Sequence, residues 1–176
     1  RDAMLLVTGF GPFLSVEDNP SAHIAKGCGL PHRVLEVSFK AIDEFFAALD
    51  PGGFDGLLMI GVAPKAEKMR IELIARNVVG PVPDVRSEVH GPAPVSFTSS
   101  GSLAGTLWRS PELFAETLDW APSVDAGDYL CNYVYHRALT SFPSKRVGFL
   151  HVPPVESMPM DRQQVALGRI LEMVSI

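Results

Sequence analysis

The sequence predicts a single-domain, three-layer α/β/α sandwich built on a mostly parallel central sheet. Three observations predict it. Strand-like and helix-like segments alternate along the chain, several of the strand segments are continuous apolar runs, and the 176 residues show neither an internal repeat nor a second domain. Alternation of this kind belongs to sheets covered by helices on both faces, and strands buried on both faces read as unbroken apolar runs. A chain of this length fits one domain and buries a substantial core without disulfide or metal staples.

Each element follows from local pattern. Met4–Thr8 is an apolar run stopped by Gly9 and reads as a buried strand. Asn19-Pro20-Ser21 is a helix-start signal, with Asn19 or Ser21 as the cap. Val34–Phe39 alternates apolar and polar residues and reads as a second strand, while Ile42, Phe45, Phe46 and Leu49 recur at helical spacing before Pro51-Gly52-Gly53. Phe54–Val62 carries the apolar run Leu57–Ile60, a third, buried strand ending at Gly61. Met69–Asn77 has a period of two, with Arg70, Glu72, Ile74 and Arg76 on one side, and reads as a fourth. Residues 78–106 are rich in Gly, Pro and Ser and are expected to be one long irregular segment, a feature usually tied to function. Pro111–Trp120 and Leu130–Leu139 read as helices, Val147–Val152 as a buried strand halted by Pro153-Pro154, and Asp161–Ile176 as a final helix with Leu167, Ile170, Leu171 and Val174 in its apolar stripe. Residues 1–3 are expected to be a remnant ahead of Met4, with the domain spanning 4–176.

Composition narrows the function classes. The formal net charge is -5, and no Lys/Arg cluster interleaves with aromatics, which argues against a nucleic-acid partner. No apolar run approaches a membrane span, and the opening residues are not expected to form a signal peptide. Cys28 and Cys131 are the two cysteines; with a cytoplasmic setting expected, both read as free thiols. The histidines show no metal-ligand spacing with one another or with Cys, so no metal site is expected.

Three residues carry candidate chemistry. Cys131 follows a turn, Asp125–Leu130, that leads into a helix. A thiol in a first helical turn meets unpaired N–H groups and the positive end of the dipole, which favour a thiolate and offer donors to an oxyanion. Read alone, Cys131 fits a small buried hydrophobe better. His151 ends an apolar strand, where a base is held rigidly at the core's edge; taken alone, a structural histidine bonded to a backbone carbonyl fits better. Glu72 lies inside an apolar strand, and a buried carboxylate requires a partner. It would suit an imidazole's orienting group, or a wet strand face shared with Arg70 and Arg76. Phe10 and Phe13 bracket a Gly/Pro loop after the first strand and could wall a flat apolar pocket or simply anchor the loop. No phosphate loop and no G-x-S-x-G elbow is present.

Taken together, four blocks resemble the pyroglutamyl peptidase I (pyrrolidone carboxylate peptidase) family of cysteine peptidases. They are Leu6-Val-Thr-Gly-Phe-Gly-Pro-Phe13 with Asn19-Pro-Ser21; Glu72 with Asn77; Ala126-Gly127 with Tyr129-Leu-Cys-Asn132; and Gly148-Phe-Leu-His-Val-Pro153. The resemblance covers most of the chain. It implies an α/β/α sandwich that removes N-terminal 5-oxoproline from pyroglutamylated peptides, without a cofactor, in the cytosol, and often as a homotetramer. It puts Cys131, His151 and Glu72 on the family's catalytic positions, as nucleophile, base and orienting group. It further implies that Phe10, Phe13 and Tyr129 wall the lactam, that backbone groups near Asn19 and Val62 bond it, and that Leu130 also binds substrate.

The sequence departs from the family's pattern at several positions. Val62 stands where Gln is frequent, Ala66, Leu73 and Val82 stand where Arg is expected, and Arg86 is a candidate substitute for the last. These departures keep two alternatives open: a cysteine amidohydrolase acting on another lactam or amide, and a non-catalytic binding paralogue of the same fold.

Overall fold

The structure, a computed structural model, describes residues 2–98 and 101–176. Parts of two expectations, the remnant at residue 1 and the irregular segment at 99–100, fall outside the described residues. In chain order the elements are β1 (Leu5–Phe10), α1 (Pro20–Gly27), β2 (His32–Leu35), α2 (Phe39–Ala48), β3 (Gly56–Val62), β4 (Met69–Glu72), β5 (Ile74–Ala75), β6 (Leu103–Ala104), β7 (Trp120–Ser123), α3 (Leu130–Ser141), β8 (Arg146–Val152) and α4 (Met160–Met173). The main sheet has the order β2-β1-β3-β8-β4-β7, and β5 and β6 form a separate antiparallel pair. β2, β1, β3 and β8 run parallel, whereas β4 runs antiparallel to β8 and carries β7 parallel to itself.

Side-chain alternation sorts the core into two clusters. Leu57, Met59, Val147 and Phe149 pack with Phe39, Ile42 and Phe46 of α2 and with Leu130, Tyr133 and Val134 of α3. Their neighbours in the same strands, Leu58, Ile60, Leu150 and Val152, pack with Ile24 and Ala25 of α1 and with Ala166, Leu167 and Ile170 of α4. The result is the three-layer, mostly parallel architecture expected of the alternating pattern. Strands β3 and β8 are buried along their length because helices cover both faces.

Several boundaries differ from expectation, each for a local reason. The strand read at Val34–Phe39 ends at Leu35, because Ser38 caps α2 by accepting a hydrogen bond from Ala41 N–H at 3.1 Å. β1 runs through Gly9 to Phe10, since Gly9 pairs with Val34 and the missing Cβ lets the chain lie against the Ser21 carbonyl. Pro111–Trp120 is not one helix: Pro111–Phe114 makes a short 3-10 turn, and Trp120 opens β7 at the sheet edge, where Pro122 leaves no interior ladder bond unmade. The strand read over Met69–Asn77 breaks after Glu72, because Leu73 N–H bonds Ser123 and Leu73 C=O receives Gly105 N–H. Among its described residues the segment 78–106 is irregular apart from β6 and one isolated bridge, Val79 to Ala93. Among the described residues no helix is long and apolar enough to cross a membrane.

Candidate active site

At the carboxyl ends of the parallel strands, three side chains far apart in sequence come together. Cys131 is the second residue of α3, after Tyr129 at the N-cap, so its backbone N–H falls within the first turn and has no helical acceptor. Gly61, near the end of β3, makes room for its sulfur: a Cβ there would lie 2.5 Å from Cys131 Sγ and 2.9 Å from the Phe149 ring. His151 pairs in register with Gly61 on one side and with Arg70 on the other. Glu72 pairs with Phe149, two residues further from the rim, because β4 runs against β8. The carboxylate therefore lies below the imidazole, while Arg70 stands level with it.

Burial and hydrogen bonding fix these groups. Glu72 is fully buried and His151 is 6% exposed. His151 Nδ1 lies 3.2 Å from Glu72 Oε1. A carboxylate only accepts, so Nδ1 carries the proton and Nε2 is left for the sulfur. The other carboxylate oxygen, Oε2, accepts from Ser123 Oγ at 2.7 Å. The Glu72 main-chain carbonyl accepts from Tyr135 Oη at 2.7 Å and Trp108 Nε1 at 3.0 Å. The Phe149 ring packs against the imidazole with centroids 4.8 Å apart. Burial alone would lower the His151 pKa; the adjacent Cys131 sulfur, through charge and hydrogen bonding, and then Glu72 outweigh it and push it up to about 9.

A cleft of about 370 Å³ opens over Cys131 and His151, within the size range of small-molecule sites. Phe13, Val62, Ala63, Ala126 and Tyr129 supply apolar walls, and Arg70 and Asp125 supply charge. The rings of Phe13 and Tyr129 are 6.0 Å apart, and Tyr129 is tethered by donating to Pro83 C=O at 2.9 Å. Burial, together with Asp84 and Cys131, raises the Tyr129 phenol above its ordinary pKa, so it presents a neutral face. Of the residues singled out by sequence, Cys131, His151, Phe13, Val62 and Tyr129 line this cleft and Glu72 supports it from below. Phe10 and Leu130 are packed into the core instead. Asn19 is the buried cap of α1, accepting from Ser21 N–H and donating to Gly11 C=O, both at 3.0 Å, and so holds the loop that carries Phe13. Arg86 points away, to Glu36 at 2.6 Å. Both cysteines are free thiols, and among the described residues no group of three His, Cys, Asp or Glu is arranged to hold a metal ion.

Sequence reading missed four contributors. Arg70 shares strand parity with Glu72, so the alternation that exposes one to the site exposes the other; that signal was present. Gly61 registered only as a strand terminus. Ser123 lies in a segment whose strand character was hidden by helix-like spacing just before it. Asn132, beside Cys131, binds the main chain at Arg76 and Val78 and had no readable partner.

The family model described as pyroglutamyl peptidase matches residues 3–174. A pyrrolidone-carboxylate peptidase of Pyrococcus furiosus is 32% identical over 179 residues, covering 90% of this chain and 84% of that protein. Among solved structures, the pyrrolidone carboxyl peptidase of Thermus thermophilus superposes with a TM-score of 0.78 at 30% identity, covering 93% of this chain and 96% of the other. One from Pyrococcus furiosus gives 0.83 at 26% identity, covering 97% of both. The family-model match over nearly the whole length, the identity to curated relatives and the shared topology lead to one conclusion: the chain belongs to the pyroglutamyl peptidase family.

Proposed function

We propose that the protein hydrolyses the amide bond after an N-terminal pyroglutamyl residue, using Cys131 as nucleophile, His151 as acid and base, and Glu72 to orient His151. The observation that carries this reading is the convergence of a helix-start thiol, a buried imidazole and a buried carboxylate at one cleft. Family membership supports the substrate class.

The chemistry follows from the geometry. The Cys131 proton passes to His151, giving a sulfur anion beside an imidazolium that Glu72 stabilises. The sulfur attacks the pyroglutamyl carbonyl carbon, and the oxygen's developing charge meets the Cys131 N–H of the first helical turn. His151 then protonates the leaving amine, the C–N bond breaks and a thioester remains. Water gives a proton to His151 and attacks the thioester carbon; the C–S bond breaks, and the sulfur leaves with pyroglutamate freed. A lactam carries no charge, so it must be held by shape and hydrogen bonds; the apolar walls of Phe13, Val62 and Tyr129 suit it.

The test is turnover of a pyroglutamyl arylamide against a prolyl arylamide control. Release from the first alone, abolished in Cys131→Ser, is the expected result. A folded protein that turns over neither would sink the proposal.

A further inference from the structure

We propose that Arg70 is a specificity residue that receives a carboxylate on the leaving side of the substrate, an inference that rests on the hydrolytic reading above. Arg70 lines the same cleft as Cys131 and His151 and is partly buried there. Among the described residues no carboxylate or carbonyl accepts from its guanidinium. The nearby acid in the cleft, Asp125, is already engaged by Arg76 at 3.0 Å and by Gly127 N–H at 2.9 Å. A half-buried guanidinium facing a reaction cleft without a protein acceptor is a preformed site for an anion, and its planar fork matches a carboxylate.

Register decides where that anion sits. Arg70 lies directly opposite His151 across an antiparallel pair, where facing Cα atoms are about 4.5–5.5 Å apart. His151 is the group that protonates the scissile nitrogen. The pyroglutamyl group itself has no carboxylate to offer. The carboxylate available near that nitrogen belongs to the residue being released: its own α-carboxylate, two bonds beyond the nitrogen in a dipeptide, or an acidic side chain. Both present the same chemistry, and the structure assigns Arg70 to it.

The experiment compares pyroglutamyl-alanine, its C-terminal amide, and pyroglutamyl-glutamic acid α-amide, which carries only the side-chain carboxylate. The wild-type protein is expected to favour at least one carboxylate substrate over the neutral amide by about 10-fold or more in kcat/KM, as charge-assisted bonds of this kind give. The preference collapses toward unity in Arg70→Gln and is partly kept in Arg70→Lys. Which acid is favoured identifies the source of the carboxylate. A wild-type ratio near one, or a ratio unchanged in Arg70→Gln because all three substrates slow equally, overturns the proposal; the second result would make Arg70 a support for the oxyanion. Dissociation constants for the same three compounds with Cys131→Ala read the preference without turnover. Absence of hydrolysis therefore counts against the catalytic reading, and absence of a carboxylate preference in binding counts against Arg70.

Discussion

At the scale of single residues, the site depends on atoms that are absent as much as on those present. Gly61 leaves the volume that Cys131 Sγ occupies. Gly61→Ala is expected to displace the sulfur and lower kcat by about 100-fold, the penalty typical of an ångström-scale misplacement, while far-UV circular dichroism stays native; iodoacetamide labelling of Cys131 should slow in parallel. Ser123 has the opposite role of supplying a donor. Removing it leaves Glu72 Oε2 buried and one bond short, so Ser123→Ala should reduce unfolding stability by about 1–3 kcal/mol, measured by urea denaturation. The His151 pKa, raised to about 9 by Cys131 and Glu72 against burial, fixes the sign of the pH response. A raised pKa keeps the imidazolium, and with it the acid for the leaving amine, available up to that value. Activity should hold through neutral pH and fall as pH rises through about 9. In Glu72→Gln one source of the upward shift is gone, so the alkaline limb should move to lower pH and the maximal rate should drop. A limb that stays in place would show that Glu72 does not act through the imidazole.

At the scale of elements, α3 joins catalysis to architecture within its first turn. Cys131 faces the cleft, whereas Asn132, next to it and fully buried, accepts from Arg76 N–H at 2.9 Å and donates to Arg76 C=O at 2.8 Å and Val78 C=O at 3.1 Å. Asn132→Ala should cost about 3 kcal/mol, since it strands three partly buried main-chain groups, and differential scanning calorimetry would read the loss. How much of this was legible in sequence depended on the range of the interaction involved. Apolar runs such as Leu57–Ile60 and Val147–Val152 declare themselves because burial acts on every residue of a central strand. β7 did not, because an edge strand of four residues containing Pro122 carries little periodicity, and Trp120 is drawn into it by packing with residues distant in sequence. Cys131, His151 and Glu72 each read better as structural residues when taken alone; four blocks occurring in order singled them out. The partners that fix them, Ser123, Tyr135 and Trp108, arise from contacts across 36 to 63 residues, and no local pattern encodes such contacts.

At the scale of the whole molecule, one sheet separates two cores with different duties. The side that carries α2 and α3 also carries the cleft, while the side under α1 and α4 holds none of the three reacting groups. Adjacent residues of β8 therefore answer to different demands. Leu150→Ala opens a cavity beneath the α1/α4 side and should lower stability by about 3 kcal/mol, with turnover at 25 °C changed less than about twofold. Phe149→Ala opens one beside the His151 ring and should lower both, which stopped-flow turnover and denaturation on the same samples would separate. Equal kinetic damage from the two substitutions would mean that the sheet transmits strain between its faces.

The reversal of β4 reaches beyond this protein. Because that strand enters from the rim and descends, a residue later in it lies deeper, and Glu72 stays dry while Arg70 meets solvent. Grafting the same side chains onto a sheet whose strands all ascend would invert the order, bringing the acid to the mouth and driving the guanidinium underneath the imidazole. Anyone transplanting this machinery must therefore copy chain polarity along with residue identity.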